Sequence, residues 1–277
     1  MSAEVDPPMA GNGGSSLVFD RVQDEQGQLH GTRQALFPAL AEQLGRPVVS
    51  FFTSFRFPVM IEDSDADMLE GVLQQLDLSS GLALFISSPG GDGLAAERII
   101  NLCRAYSGTG EYWAIVPGKA KSAATMVCFG ASKIIMGATS ELGPVDPQLI
   151  EEQRAFSAFN VVQSYRDLFT RAVQEQGNLQ PYLQQLANYD EREIAELDQL
   201  LDLSRDISVR VLKSGMMADA NEEEIARRIG MFLTPEQTKT HGRPIYRDEA
   251  DGCGLTIEQV PVGAGRQPMS CTYGPAI

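Results

Sequence analysis

Histidine and cysteine, the side chains that most often bind transition metals, are scarce in this sequence. Among 277 residues only two histidines occur, His30 and His241, and they lie far apart. The four cysteines contain no CxxC pair, so neither a metal site nor a cofactor is expected. Cys103 and Cys128 lie in apolar helical stretches, which favours buried free thiols in a reducing compartment. The other two cysteines are Cys253 and Cys271.

Basic residues are also in short supply. The chain has 22 Lys and Arg against 37 Asp and Glu, a formal charge of −15. Because nucleic acids and anionic membranes attract basic surfaces, neither is expected as a partner. No apolar run approaches the roughly 20 residues of a membrane span, since the longest, residues 48–61, is interrupted by Arg56 and Pro58. The first sixteen residues lack a basic n-region and an apolar h-region, so we expect a cytoplasmic protein without a signal peptide.

The remaining composition is that of an ordinary globular protein, with 43% hydrophobic and 21% charged residues. Residues 1–16 are rich in glycine, proline and serine and are predicted to form a disordered tail. Residues 17–150 are predicted to form the core. Residues 151–250, which are charged and rich in glutamine, are predicted to form a helical arm or cap that returns to the core. Residues 251–277 contain one strand-like run and a tail rich in glycine and proline.

Strands and helices alternate through the predicted core, which favours an α/β fold with a mainly parallel sheet flanked by helices. The predicted strands are Val48–Phe55, Leu82–Ile86, Tyr112–Val116 and Lys133–Met136. The predicted helices are Asp63–Leu76, one that begins after the Gly90-Gly91 pair and ends near Tyr106, and one that begins after Ser122.

One stretch of the core, WAIVPGKAKSAATMVCFGASKIIM (residues 113–136), has a serine where a strand changes to a helix. Ser122 is followed by Ala123 and Ala124, whose small side chains leave the hydroxyl accessible. Such a junction can expose a nucleophilic oxygen, with the next backbone N–H directed at the oxyanion that forms. The structural alternative is that Ser122 caps a core helix, a role that serine fills well.

A second strand-to-helix junction lies earlier in the chain, in LALFISSPGGDG (residues 82–93). Paired glycines, here Gly90 and Gly91, allow positive φ angles and leave backbone N–H groups open to a ligand. Alone, the pair indicates only a tight turn. Together with the Ser122 junction it predicts two turns that each donate one N–H to a single oxyanion.

Three motifs in this sequence, SPGG, KSAATM and SELGPVDPQ, resemble those of the Clp/crotonase superfamily of peptidases. Within it, the sequence is most similar to the serine dehydrogenase proteinase family. The similarity extends over residues 48–148 and returns at THGRPI, residues 240–245. The resemblance implies a Clp/crotonase-like spiral of strand–turn–helix units with mainly parallel sheets, followed by a helical C-terminal extension.

Carried over position by position, the resemblance implies a catalytic triad in the chain order Ser, Asp, His. Ser122 would be the nucleophile, Asp146 the orienting carboxylate and His241 the base. The backbone N–H groups of Gly91 and Ala123 would form the oxyanion hole. Without the resemblance, an aspartate before a proline indicates an Asx turn, and a histidine before a glycine indicates a solvated loop.

The mechanistic alternative is a Ser–Lys dyad, as in relatives of signal peptide peptidase A. There the resemblance would place the lysine well downstream of the serine, but no lysine occurs between Lys133 and Lys213. Lys119 and Lys121 are too close to the serine along the backbone to be well placed as bases. Lys121 nevertheless remains an alternative to the histidine.

The residues together predict a serine peptidase, or a related acyl hydrolase, that cleaves peptides or unfolded protein segments without a metal or organic cofactor. Two other function classes remain open. A crotonase-like acyl-CoA hydratase would need paired carboxylates and a CoA pocket, and neither is recognisable. A catalytically weak scaffold would use the fold to assemble rings and bind peptides. Because superfamily relatives form rings and residues 151–250 carry apolar stripes, we expect a homo-oligomer.

Overall fold

The strands in the described part of the chain form two sheets and one hairpin. The computed structural model describes residues 34, 36–55, 59–151 and 154–259, so the predicted tail at residues 1–16 lies outside the described part. The described strands are β1 (Val48–Phe52), β2 (Leu82–Ser87), β3 (Tyr112–Val116), β4 (Lys119–Ala120), β5 (Lys133–Met136), β6 (Glu141–Leu142), β7 (Gln148–Glu151), β8 (Arg154–Ser157), β9 (Ile245–Tyr246) and β10 (Ile257–Gln259).

The central sheet has five strands in the order β1-β2-β3-β5-β10, and every neighbouring pair is parallel. Every residue of β2 is buried, as expected of a parallel strand covered on both faces. Strands β3 and β5 have the predicted bounds, whereas β1 ends at Phe52 and not at Phe55. The predicted α/β fold with a mainly parallel sheet is therefore confirmed.

Helices cover both faces of this sheet and continue into the C-terminal half of the chain. The described helices are α1 (Leu36–Leu44), α2 (Asp63–Leu73), α3 (Gly93–Tyr106), α4 (Ala123–Phe129), α5 (Ala158–Gln174), α6 (Gln180–Leu186), α7 (Glu191–Lys213), α8 (Glu222–Arg228), α9 (Gly230–Leu233), α10 (Pro235–Thr238) and α11 (Arg247–Gly252). Within the described residues, no helix combines the length and apolarity that crossing a membrane requires.

The apolar side chains divide into one large core and two smaller clusters. The large core joins the central sheet to α2, α3 and α4, and it also contains side chains from the end of α7 and from α8 and α9. On the opposite face of the sheet, α1 packs over a small cluster that includes Phe85 and Ile115. The third cluster joins α5 to the start of α7 through residues such as Val162 and Leu197. Residues 151–250 therefore supply part of the main core as well as a separate helical unit.

The second sheet is short, but it brings three distant parts of the chain together. Its order is β4-β6-β9, with β4 parallel to β6 and β6 antiparallel to β9. In its register Ala120 is paired with Leu142, and Leu142 with Ile245. Because β9 runs in the opposite direction, the residues that follow β4 and β6 leave the sheet at the same end as the residues that precede β9.

Candidate active site

Ser122 occupies a strained turn between β4 and α4. Its backbone has φ 50° and ψ −123°, a region that residues other than glycine rarely adopt. Ser122 stands at the N-cap position of α4, but its hydroxyl makes no capping hydrogen bond to that helix. A strained serine at a strand-to-helix turn is the backbone arrangement that presents a nucleophilic oxygen.

The glycine pair packs directly against this serine. Gly90 has φ +108°, and a Cβ atom at that position would lie 2.5 Å from the Cβ of Ser122 and 2.7 Å from the carbonyl oxygen of Lys121. Only glycine therefore allows the two turns to approach so closely. The two strand-to-helix junctions identified in the sequence thus form one local structure.

In the glycine turn, the backbone groups of Gly90 are hydrogen-bonded, whereas, among the described residues, the N–H of Gly91 is not. The N–H of Gly90 donates to Oγ of Ser88 at 3.0 Å, and its carbonyl accepts a hydrogen bond from the N–H of Ile61 at 2.8 Å. Within the described part of the chain, the N–H groups of Gly91 and Ala123 have no acceptor. These are the two groups that the resemblance assigns to an oxyanion hole.

Asp146 and His241 are in direct contact although they are 95 residues apart in the chain. Nδ1 of His241 lies 2.8 Å from Oδ1 of Asp146. The other carboxylate oxygen, Oδ2, accepts hydrogen bonds from Nε2 of Gln148 and from Oγ of Ser157, each at 2.9 Å. The Asp146 side chain is fully buried, whereas that of His241 is 24% exposed. A buried carboxylate with three partners is held in one orientation, and it favours the imidazole tautomer with the proton on Nδ1.

Ser122 and His241 share no hydrogen bond within the described residues. Within the described residues, neither the Ser122 hydroxyl nor Nε2 of His241 forms a hydrogen bond. The β4-β6-β9 sheet nevertheless directs the segments that carry Ser122, Asp146 and His241 to one end. The structure therefore brings Asp146 and His241 into contact, and within the described residues Ser122 forms no hydrogen bond to either.

The side chain of Lys121, the alternative base, is directed at β6. Its Nζ donates to the carbonyl oxygen of Leu142 at 3.0 Å and lies 3.1 Å from Oε1 of Glu141. Burial lowers the pKa of Lys121, and the neighbouring Glu141 carboxylate opposes that shift. An ammonium group that donates to a carbonyl and to a carboxylate keeps its proton, so this geometry does not suit a general base.

Three further residues of the site were not identified from the sequence. Gln148 and Ser157 bind Asp146, and Thr125 links α4 to both neighbouring segments by donating to the carbonyl of Ala120 at 2.8 Å and accepting from the N–H of Gly143 at 3.1 Å. Gln148 belongs to the SELGPVDPQ motif, which could have indicated it. The other two meet their partners only through the folding of the chain.

Three of the four cysteines and one of the two histidines lie in the described part of the chain. Cys103, Cys128 and Cys253 are buried free thiols, as predicted for the first two. The described residues contain no group of three or more His, Cys, Asp or Glu side chains arranged to hold a metal ion. His30 and Cys271 lie outside the described residues.

Comparison with known proteins gives the same family as the motifs. Residues 42–263 match the family of ClpP-like SDH-type serine proteinases. The chain is 30% identical to the uncharacterized protein MJ0137 of Methanocaldococcus jannaschii over 220 residues, which are 77% of this chain and 63% of that protein. It is also 30% identical to the uncharacterized protein MJ1495 of the same organism over 122 residues, 44% of this chain and 37% of that protein. This chain thus spans less than two thirds of the length of either relative. Because the family match extends over most of its length, the chain belongs to the ClpP-like SDH-type serine proteinases.

Proposed function

We propose that this protein is a serine peptidase, or a related acyl hydrolase, with Ser122 as nucleophile, His241 as general base and Asp146 as orienting carboxylate. The hydrogen bond between the buried Asp146 carboxylate and His241 Nδ1 is the observation that carries the proposal. A loop histidine without a catalytic role would have no need of a fully buried carboxylate on one ring nitrogen.

Proton transfer follows from this contact. With its proton held on Nδ1 by Asp146, the imidazole of His241 has Nε2 available as an acceptor. Nε2 takes the proton of Ser122 as Oγ attacks the substrate carbonyl carbon, and the carbonyl π electrons move to the oxygen. The same proton then passes to the leaving amine when the C–N bond breaks. A water molecule, deprotonated by the same nitrogen, hydrolyses the acyl-enzyme and regenerates the serine.

The oxyanion that forms in each attack requires hydrogen-bond donors. The N–H groups of Gly91 and Ala123 fill this role, since both lack an acceptor within the described residues and the two turns are packed against each other. Backbone N–H groups in rigid turns need no reorganisation as negative charge develops, and this is the main energetic advantage of such a site.

The attack also requires Ser122 and His241 to come within hydrogen-bond distance. Catalytic hydrogen bonds are often long or poorly aligned in ligand-free enzymes and shorten when substrate binds. His241 lies in the short segment between α10 and β9, partly exposed, whereas Asp146 is rigidly held. We therefore assign the closing movement to the imidazole and not to the carboxylate.

The other candidate functions have less support. A Ser–Lys dyad is disfavoured by the two acceptors that occupy the Lys121 ammonium. A catalytically weak scaffold would have no use for a serine held in a strained conformation. A crotonase-like hydratase would require paired carboxylates, whereas the Asp146 carboxylate is bonded to His241, Gln148 and Ser157.

The substrates that suit this chemistry are peptides or unfolded protein segments, and the free thiols fit a reducing cytoplasm.

We also propose that the protein acts as a homo-oligomer. Apolar side chains on the separate helical unit are exposed, with Phe169 51% and Val173 71% accessible. Exposed apolar patches of this kind often mark interfaces between subunits. Light scattering at micromolar concentration should give a mass well above the 30.1 kDa of one chain.

Covalent labelling with a fluorophosphonate tests the proposed nucleophile. The wild-type protein should form one adduct, found by peptide mass spectrometry on Ser122, and Ser122→Ala should not be labelled. Ser132→Ala is a matched control, because Ser132 lies beyond the other end of α4 and donates only to the carbonyl of Tyr112. Absence of labelling in the wild-type protein, or equal labelling of Ser122→Ala, would contradict the proposal.

A further inference from the structure

Lys121, the residue before the proposed nucleophile, is fixed through its backbone as well as its side chain. Its N–H donates to the carbonyl of Ser88 at 3.0 Å, and its own carbonyl accepts from the N–H of Ala124 at 2.9 Å. Its Nζ donates to the carbonyl of Leu142 and forms an ion pair with Glu141. One residue therefore joins the strand end before the glycine turn, the start of α4 and strand β6.

The side chain of Lys121 packs tightly along the segment that follows β6. A Cβ atom added to Gly143 would lie 2.5 Å from Cδ of Lys121, so the backbone of Gly143 rests on the aliphatic part of the lysine. The Lys121 side chain is only 14% exposed and that of Glu141 only 12%. The same segment reaches Asp146 three residues after Gly143. Lys121 is thus a direct link between the serine turn and the segment that carries the carboxylate, beside the hydrogen bond from the N–H of Gly143 to Thr125.

Lys119 also lies near Glu141, and comparing it with Lys121 shows what distinguishes Lys121. Its Nζ lies 3.5 Å from the same oxygen, Oε1 of Glu141, but its side chain is 57% exposed. An exposed ion pair of this kind contributes little, because water competes for both charges. Two lysines therefore share one carboxylate, but only Lys121 is enclosed and also bonded to the backbone of β6.

We propose that Lys121 is a positioning residue that holds the strained Ser122 turn in register with the Leu142–Asp146 segment, and through Asp146 with His241. This role rests on the proposed function, since it concerns the geometry of that triad. Lys121 does not exchange a proton with the substrate. It holds Ser122 at a fixed position relative to Asp146 and His241. A misplacement of the reacting groups by about 1 Å can reduce a catalytic rate by roughly 100-fold.

The test compares fluorophosphonate labelling of Ser122 in four variants of the full chain. Lys121→Met removes the ammonium group and keeps an aliphatic side chain, but it leaves Glu141 without its enclosed partner. The double variant Lys121→Met with Glu141→Gln removes both charges. Glu141→Gln alone keeps the bond between Lys121 and the Leu142 carbonyl. Lys119→Met is the matched control, because it removes the exposed lysine from the same carboxylate.

If Lys121 is a positioning residue, the double variant should label on the order of 100-fold more slowly than wild type. Glu141→Gln should label a few-fold more slowly, and Lys119→Met at the wild-type rate. Hydrolysis of fluorescein-labelled casein should lose kcat with little change in KM, because substrate contacts are intact. The rate should keep the same dependence on pH in every variant, since the base is unchanged.

Two results would overturn this role. If Ser122 of Glu141→Gln and of the folded double variant is labelled at the wild-type rate, the contact of Lys121 with β6 is not needed. A changed pH profile in the Lys121 variants would make Lys121 the base. If wild-type protein labels on Ser122 and these variants label at the same rate, only the positioning role fails, whereas a changed pH profile would also remove His241 as the proposed base. If wild-type protein does not label at all, the proposed function fails with it.

Discussion

Ser157 donates a hydrogen bond of 2.9 Å to Oδ2 of Asp146, the carboxylate oxygen that does not face His241. Ser157 is the last residue of β8 and directly precedes α5, so the start of the helical unit is bonded to the proposed catalytic carboxylate. In the hairpin register Ser157 is paired with Gln148, the other donor to the same oxygen. The β7-β8 hairpin therefore fixes the orientation of Asp146.

The first prediction concerns this hairpin. Ser157→Ala should reduce kcat by roughly tenfold with little effect on KM, because Asp146 loses one of the donors that orient it. Ser208→Ala is the control, since Ser208 is also buried but bonds only to the carbonyl of Ser204 within α7. The comparison is made by steady-state hydrolysis of labelled casein. Equal losses of kcat in both variants would show that Ser157 has no special role.

The second prediction concerns the strain at Ser122. Ser122→Gly should raise the free energy of unfolding by about 1 kcal/mol, because glycine adopts φ 50° without steric cost. Ser122→Ala keeps the Cβ atom and should show no such gain. Both variants should lose fluorophosphonate labelling. Urea unfolding followed by circular dichroism measures the difference, and equal stability of the two variants would exclude stored strain.

The third prediction concerns the members of the triad. His241→Ala should reduce kcat as much as Ser122→Ala, because the two residues act as one unit. Asp146→Asn should reduce kcat on the order of ten-thousandfold, since an amide no longer holds the proton on Nδ1. High activity of His241→Ala would instead implicate another base.

The fourth prediction concerns the approach of the two turns. Gly90→Ala should abolish labelling, because a methyl group there would collide with Ser122 and strain a backbone at φ +108°. Gly71→Ala is the control. A Cβ at Gly71, inside helix α2, meets nothing within 4 Å, so alanine should stabilise the protein by about 0.5–1 kcal/mol. Normal labelling of Gly90→Ala would contradict the packing of the turns.

The fifth prediction concerns the thiols. Burial raises the pKa of Cys103 to about 12, and burial together with Glu249 raises the pKa of Cys253 to about 11. Burial also raises the pKa of Cys128. Since only the thiolate reacts, these cysteines should resist Ellman's reagent at about pH 8 in native protein. In a Cys271→Ser background, three thiols should appear only on unfolding. Rapid reaction in the native state would contradict their burial.

Much of the fold was predictable from the sequence because its signals are local. The bounds of β3 and β5 follow from short apolar runs between turn residues, and the burial of β2 follows from its unbroken apolar sequence. Gly90 and Ser122 were identified through their neighbours, since a strand-to-helix turn depends on the few residues that form it. These features need no knowledge of distant contacts.

The interpretation of single polar residues was harder. Ser122 as a side-chain helix cap and Ser122 as a nucleophile predict the same sequence pattern, and the structure adds that φ is positive and that the cap bond is missing. The sequence leaves Lys121 as an alternative base, but its side chain points toward β6, where it is buried and contacts two acceptors. The direction of a long side chain depends on which strand lies beside it, and the sequence does not state this.

By itself, the sequence determined the class of fold, the two turns and the types of residue that a serine hydrolase requires. The tertiary structure alone decided that Asp146 meets His241, and that Gln148 and Ser157 complete the shell of that carboxylate. The physical reason lies in the short β4-β6-β9 sheet, whose few backbone pairs bring segments far apart in the chain to one end. Two-residue strands have no hydrophobic pattern of their own, so their pairing arises only when the large core has fixed the elements around them.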